Sequence, residues 1–223
     1  MDFMMLFFPA NCLVCGKRRN DRRAVLCFAC ERNIPKWGPG NAGEDPVSQI
    51  FWGRLPVTAG TSLFRFEKGS AYQSLIHELK YRGNRNAGLY LGRLLGQQLY
   101  QSIFRECDLL VPVPLHPRRL RMRGYNQSEL IARGVSEIIS IPVYPDLIRR
   151  KQYQSSQTSL SRTERFTNVE NAFVLNRSSP DLHNKKILII DDIVTTGATL
   201  EACSRLLLEN FECSVYIATL SYA

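Results

Sequence analysis

The chain has 223 residues, of which 44% are hydrophobic and 22% are charged, so a disordered or fibrous chain is excluded. Its net charge of +9 fits an anionic partner or solubility alone. No apolar run approaches the roughly 20 residues of a membrane helix, and the apolar residues 3–8 follow Asp2 instead of a basic segment. We therefore expect a cytoplasmic protein without membrane insertion or a signal peptide.

Two Cys-x-x-Cys pairs, Cys12 with Cys15 and Cys27 with Cys30, lie near the start of the chain. Four thiolates at this spacing are typical of a closed, tetrahedral zinc site. A redox Cys-x-x-Cys motif would explain one pair but not both. The sequence therefore predicts that these four cysteines bind a structural Zn²⁺.

Residues 38–46 are rich in glycine and proline and indicate a linker. We divide the chain into a four-cysteine zinc-binding module, residues 1–50, and a second domain, residues 51–223. In the second domain the pattern predicts strands over 55–66, 108–114, 172–175, 185–190 and 213–220, with one or two short strands within 141–148. It predicts helices over 71–81, 87–104, 126–139 and 199–209.

The alternation of strands and helices predicts an open, mostly parallel α/β sheet flanked by helices. The continuous apolar run 185–190 is typical of a central parallel strand. In helix 87–104, Leu91, Leu95, Leu99 and Ile103 are expected to form one buried stripe. We interpret residues 116–124 as a basic loop, interrupted by proline and glycine.

The segment 187–200 joins a buried strand to a helix through two carboxylates and a small loop. The catalytic candidates here are Asp191 and Asp192, and the phosphate-binding candidates are Thr195, Thr196, Gly197, Ala198 and Thr199. Ligands of open α/β sheets bind at the carboxyl ends of strands, and amides at a helix start favour a phosphate. Gly197 permits a tight turn. The aspartates suit vicinal hydroxyls, so the segment predicts a site for a 5-phosphorylated ribose.

Three other interpretations compete with this one. A receiver domain would need a much longer chain after Asp192, and a Walker B strand needs a G-x-x-x-x-G-K-[ST] loop that this sequence lacks. Helix capping would explain the threonines but not two adjacent aspartates. A solvated charged turn is the third alternative.

Arginine is concentrated between residues 116 and 166. Arg118, Arg119 and Arg123 are candidates for binding an anion, because guanidinium groups match phosphate oxygens. Arg162 lies in segment 151–163 and Arg165 lies just beyond it, and both are further catalytic candidates. We expect this segment to be mobile and to close over the site. The alternatives are a solvated rim or a surface for single-stranded nucleic acid, with nearby tyrosines stacking on bases.

Residues 189–199 resemble the 5-phosphoribosyl-1-pyrophosphate (PRPP) signature of type I phosphoribosyltransferases. With the cysteine pairs and motifs at 79–83, 111–127 and 157–168, the chain resembles the ComF family of competence-associated, phosphoribosyltransferase-like proteins. The resemblance implies that Asp191 and Asp192 bind the ribose hydroxyls, directly or through Mg²⁺. It also implies that residues 195–199 bind the 5′-phosphate and that the loop after Pro114, with Arg118, Arg119 and Arg123, binds pyrophosphate.

For function, the resemblance implies transfer of a phosphoribosyl group from Mg²⁺-bound PRPP, with release of pyrophosphate, in connection with DNA uptake. The alternative is a non-catalytic adaptor that keeps the fold and binds single-stranded DNA or DNA-processing proteins. No residue set in the sequence identifies an acceptor for the phosphoribosyl group.

Overall fold

The structure, a computed structural model, describes residues 11–19, 21, 24–37, 45–151, 172–176 and 180–223. Its strands are β1 (Val57–Arg65), β2 (Leu109–Pro112), β3 (Ile148–Arg150), β4 (Phe173–Leu175), β5 (Lys186–Val194) and β6 (Ser214–Tyr222). Its α-helices are α1 (Phe28–Arg32), α2 (Pro46–Gln49), α3 (Gln73–Tyr81), α4 (Arg85–Leu99), α5 (Pro117–Arg123), α6 (Gln127–Ile139) and α7 (Ala198–Asn210). A short 3₁₀ helix, Ile103–Glu106, follows α4.

Four strands form a parallel sheet in the order β1-β6-β5-β2, and β3 pairs with β4 in a separate antiparallel ribbon. As predicted, β5 is a central strand. Its apolar run 187–190 is fully buried because both faces of the sheet are covered: Leu188 and Ile190 face one core cluster, and Ile187 and Ile189 face the other. The predicted α/β class is confirmed.

Strand β5 is longer than the predicted segment 185–190 because it continues through both aspartates to Val194. Its pairing with β6 extends as far as Val194 opposite Tyr222. The aspartates are therefore held in the regular backbone of a strand end, and the turn begins only at Thr195.

Helices α3, α4 and α6 cover one face of the sheet, and α2 and α7 cover the other. Helices α4 and α6 approach closely at Gly92 and Gly134. A Cβ atom on either glycine would lie 2.3 Å from a backbone oxygen of the facing helix. Helix α4 ends earlier than predicted, since Ser102 Oγ donates a hydrogen bond to Leu99 O at 2.7 Å. Ile103 consequently leaves the expected stripe and is 40% exposed.

Residues 117–123 form helix α5, so the expected basic loop is wrong. Pro117 occupies the first turn, and His116 Nδ1 accepts a hydrogen bond from Arg118 N at 3.1 Å. Gly124, with φ of 75°, ends the helix in the left-handed conformation. The proline and the glycine, interpreted as interruptions, are a helix start and a helix stop.

The cysteine segment packs against helix α3. Cys12 and Leu26 belong to the same apolar cluster as Leu75. Tyr72 Oη donates a hydrogen bond to Cys30 O at 2.9 Å, and Ser74 Oγ donates one to Leu13 O at 2.8 Å. The division of the chain near residue 50 stays a prediction. Within the described part of the chain, no helix combines the length and apolarity needed to cross a membrane.

Candidate functional site

A cleft of about 400 Å³ lies where β2 and β5 reach their carboxyl ends. Its walls come from the end of α3, residues 113–115, helix α5, the start of α6, and Arg150 at the end of β3. A smaller hollow of about 70 Å³ adjoins it along residues 193–200. The cleft and the hollow share Asp191, Ile193 and Thr199, so the acidic pair and the glycine loop contribute to one continuous concave surface.

Asp191 is held by hydrogen bonds to its Oδ1 atom. Ser128 Oγ, at the start of α6, donates one at 2.8 Å, and the backbone N–H of Asp192 donates another at 2.8 Å. Burial, together with the neighbouring charge of Asp192, raises the pKa of Asp191 to about 7. The fold therefore keeps an electrostatically unfavourable charge at the edge of the cleft.

Asp192 forms an ion pair with Lys80 from the last turn of α3, and Lys80 Nζ lies 3.1 Å from Asp192 Oδ1. Both side chains are largely buried, with 21% of Lys80 and 11% of Asp192 exposed. Apart from its place in the motif 79–83, Lys80 was missed at the level of sequence, because it lies far along the chain from Asp192.

The loop from Thr195 to Gly197 leads into the N-terminus of α7. Gly197 has φ of 78°, a conformation that favours glycine. A Cβ atom there would also lie 2.7 Å from Ile50 Cγ2. The first N–H groups of a helix have no partner within the helix, and the helix dipole favours an anion there. The predicted phosphate loop thus lies at a helix N-terminus, and its binding of phosphate stays a prediction.

Arg54 supports this loop from the side of Ile50. Its Nη1 atom donates hydrogen bonds to Thr196 O and Ile50 O, both at 3.0 Å. Its Nη2 atom donates to Glu201 on α7. Arg54 was missed at the level of sequence, because nothing local to residue 54 indicates a partner at residue 196.

Helix α5 presents two of the three predicted pyrophosphate-binding arginines to the cleft. Arg119 and Arg123 are four residues apart, share one helix face and line the cleft, whereas Arg118 is outside its lining. The Arg123 guanidinium lies 5.4 Å from the centre of the Tyr81 ring. The candidates Arg162 and Arg165, with the expected mobile segment, lie outside the described residues.

Two further polar side chains at the cleft were missed. Gln127, at the start of α6, is 1% exposed, and its Nε2 atom has no hydrogen-bond partner among the described residues. Arg150 lines the cleft from β3, and burial lowers the pKa of its guanidinium. Gln127 ends the motif 111–127, which was the available signal for it.

The four predicted zinc ligands come together. The Sγ atoms of Cys12, Cys15, Cys27 and Cys30 all lie within 4.8 Å of one another, and Cys15 Sγ is 3.7 Å from Cys27 Sγ. Sulfurs about 2.3 Å from a tetrahedral zinc ion would lie about 3.8 Å apart. The donor set and its spacing therefore fit a single Zn²⁺.

The parallel sheet, the acidic strand end and the glycine loop at its carboxyl edge define a phosphoribosyltransferase-like fold. In agreement, the family described as "Phosphoribosyl transferase domain" matches residues 126–223.

The chain is 31% identical over 230 residues to the DNA utilization protein YhgH of Escherichia coli K12, covering 96% of this chain and 97% of that protein. It is 25% identical to Competence protein F of Haemophilus influenzae, covering 92% and 93%. It is also 39% identical over 101 residues to Competence protein ComFC of Bacillus subtilis, covering 45% and 38%. The chain belongs to the ComF family.

Proposed function

We propose that this protein binds PRPP and transfers its phosphoribosyl group to an acceptor. The observation that carries the proposal is the shared concave surface, on which the acidic pair, the glycine loop and the arginines of α5 meet. Each part suits a different part of the ligand: amides and hydroxyls for the 5′-phosphate, carboxylates for the ribose hydroxyls, and guanidinium groups for pyrophosphate.

The 5′-phosphate would lie against residues 195–199, where the N-terminus of α7 and the threonine hydroxyls supply donors. Asp191 and Asp192 would accept hydrogen bonds from the ribose hydroxyls. Arg119 and Arg123 would bind the pyrophosphate, with Arg162 and Arg165 as further candidates on the segment that we expect to close.

Mg²⁺ suits this site in its donor chemistry, because carboxylate oxygens together with phosphate oxygens are its usual ligands. Asp191 is the carboxylate best able to face it, since Asp192 already has a cationic partner in Lys80. When bound with PRPP, the ion would neutralise part of the pyrophosphate charge.

In the proposed reaction the bond from ribose C1 to the pyrophosphate oxygen breaks, and C1 forms a bond to the acceptor. Positive charge develops at C1 and negative charge on the leaving pyrophosphate. The arginines stabilise the leaving group, and the loop at 195–199 holds the sugar in place by its phosphate. The ComF relatives are named for competence and DNA utilization, and these names support a role in DNA uptake. We expect this role in the cytoplasm.

Calorimetry with PRPP and MgCl₂ tests this proposal. We expect binding by the wild-type protein and none by the Asp191→Asn/Asp192→Asn variant. Asp146→Asn is a matched control, because Asp146 is exposed outside the cleft, 3.8 Å from Arg149 Nη2. Equal binding by all three proteins, or absence of binding by the wild type, would contradict the proposal.

A second candidate function is binding of single-stranded DNA. The observation that favours it is Tyr81, 66% exposed at the rim of the cleft, with the His77 ring 5.0 Å away and Arg123 over its face. Bases stack on such aromatics while arginines contact phosphates. Fluorescence anisotropy with an oligonucleotide should show affinity that falls steeply with salt and is weaker for Tyr81→Ala. An affinity that Tyr81→Ala leaves unchanged would contradict this placement of DNA.

A further inference from the structure

The ion pair between Lys80 and Asp192 lies in the wall of the cleft, with 3.1 Å between Lys80 Nζ and Asp192 Oδ1. Its two residues come from different elements, α3 and β5, so the tertiary fold brings them together. Both side chains are largely buried. An ammonium group of the protein therefore lies beside Asp192 Oδ1, where a divalent cation bound to that oxygen would lie.

Resting on the proposed function, we propose that Lys80 is the resident cation of the acidic pair. It excludes free divalent metal from Asp192 and allows the site to bind ribose 5-phosphate without metal.

The charges around the cleft support binding without metal. Its charged lining residues, among those described, are Lys80, Arg119, Arg123, Arg150, Asp191 and Asp192. Four cationic and two acidic side chains thus line the cleft. Its net positive charge attracts a phosphate dianion without any added metal. Without Lys80, Asp192 would be an uncompensated buried carboxylate that repels the same ligand.

The competition between Lys80 and a metal follows from the burial of the pair. A metal ion that bound Asp192 would displace the ammonium and leave Lys80 without its partner in a mostly buried position, which is unfavourable. Mg²⁺ also gives up its own water reluctantly. Removal of Lys80 reverses this balance, because the uncompensated Asp192 then gains from any cation that can reach it.

The first test is calorimetry of ribose 5-phosphate with the wild-type protein, in EDTA and in excess MgCl₂. We expect the same dissociation constant in both solutions. Binding that appears only with MgCl₂ would overturn the inference while leaving the proposed function standing. Absence of ribose 5-phosphate binding in both solutions would also overturn the inference, whereas absence of PRPP binding in MgCl₂ would overturn the proposed function itself.

The second test titrates Mn²⁺ alone, followed by electron paramagnetic resonance, against wild type and Lys80→Met. We expect Mn²⁺ affinity to rise about tenfold or more in Lys80→Met, and to return to the wild-type level in Lys80→Met/Asp192→Asn. Lys185→Met is the matched control, because Lys185 pairs with Asp108 at 3.3 Å away from the cleft, and we expect it to bind Mn²⁺ as the wild type does.

Mn²⁺ affinity in the wild type equal to that in Lys80→Met would overturn the inference. Circular dichroism establishes that each variant is folded. If Lys80→Met does not fold, Lys80→Gln takes its place, and the wild-type titrations in EDTA and MgCl₂ remain a complete test by themselves.

Discussion

The cysteine cluster and the acidic cleft each gather groups that bear negative charge, but they balance that charge differently. In the cleft the counter-charges belong to the chain, with Lys80 against Asp192 and two arginines from α5 on the same surface. In the cluster four cysteine sulfurs lie within 4.8 Å of one another, and their thiolates are balanced when a zinc ion binds. The donor set of the cluster fits an added ion as its counter-charge, whereas the cleft supplies counter-charges from its own side chains.

Replacement of a predicted zinc ligand should have the largest effect on the stability of the protein. We expect Cys12→Ser to lose zinc and to unfold the cysteine segment, because a structural zinc site contributes about 10–16 kcal/mol of apparent binding free energy to folding. Elemental analysis and thermal unfolding measure both effects. Cys213→Ser, outside the cluster, is the control that should retain zinc. Full zinc content in Cys12→Ser would contradict the expectation that the cysteine cluster binds zinc through Cys12.

The glycine loop should respond next most strongly. Gly197→Ala combines an unfavourable positive φ with a Cβ atom 2.7 Å from Ile50, so we expect a loss of about 2–4 kcal/mol in the free energy of unfolding and loss of phosphate binding. Gly69 has φ of 88°, but no atom of the described residues lies within 4 Å of an added Cβ. Gly69→Ala should therefore cost only about 1 kcal/mol. Equal losses in chemical denaturation would show that Ile50 does not support the loop.

Asp191→Asn should stabilise the fold while abolishing ligand binding. Burial raises the pKa of Asp191 from 3.8 to about 7, so ionisation of this carboxyl opposes folding. The advantage of the variant is therefore largest above pH 7 and disappears as the pH falls towards 3.8, where the carboxyl is neutral in the folded and the unfolded chain. We expect Asp191→Asn to raise the free energy of unfolding by about 1 kcal/mol or more at about pH 8. Denaturant unfolding at several pH values measures it, and an advantage that grows as the pH falls would refute this interpretation.

The smallest expected effect is a difference in pyrophosphate binding between substitutions of two neighbouring arginines on α5. Arg119 lines the cleft and Arg118 does not, so we expect Arg119→Ala to weaken pyrophosphate binding about tenfold and Arg118→Ala to leave it unchanged. Calorimetry with pyrophosphate provides the measurement. Equal weakening by both substitutions would mean that the whole basic helix acts as a diffuse charge.

Features set by neighbouring residues were predictable from sequence. The strand, the turn at Gly197 and helix α7 follow one another directly, so local hydrophobic pattern and one glycine located them. The cysteine cluster was predictable for the same reason, since each Cys-x-x-Cys pair is local in sequence: Cys12 and Cys15 lie in one turn, and Cys27 and Cys30 lie at the start of α1.

Features that depend on distant residues were not predictable. Lys80 meets Asp192, and Arg54 meets Thr196, only after the sheet has formed. Helix α5 was missed for a different reason: Pro117 and Gly124 each fit both a loop and a helix boundary, and only the cap at His116 decides between them. The face that α5 turns to the cleft then follows from the four-residue spacing of Arg119 and Arg123.

The central claim is that the amides at the start of α7 bind the phosphate of a phosphorylated ribose. Titration of ¹⁵N-labelled protein with ribose 5-phosphate, followed by two-dimensional NMR, tests it most directly. We expect the largest amide shifts at residues 195–200, with smaller shifts at Asp191 and Asp192. Shifts confined to helix α5, with residues 195–200 unchanged at saturation, would contradict the claim.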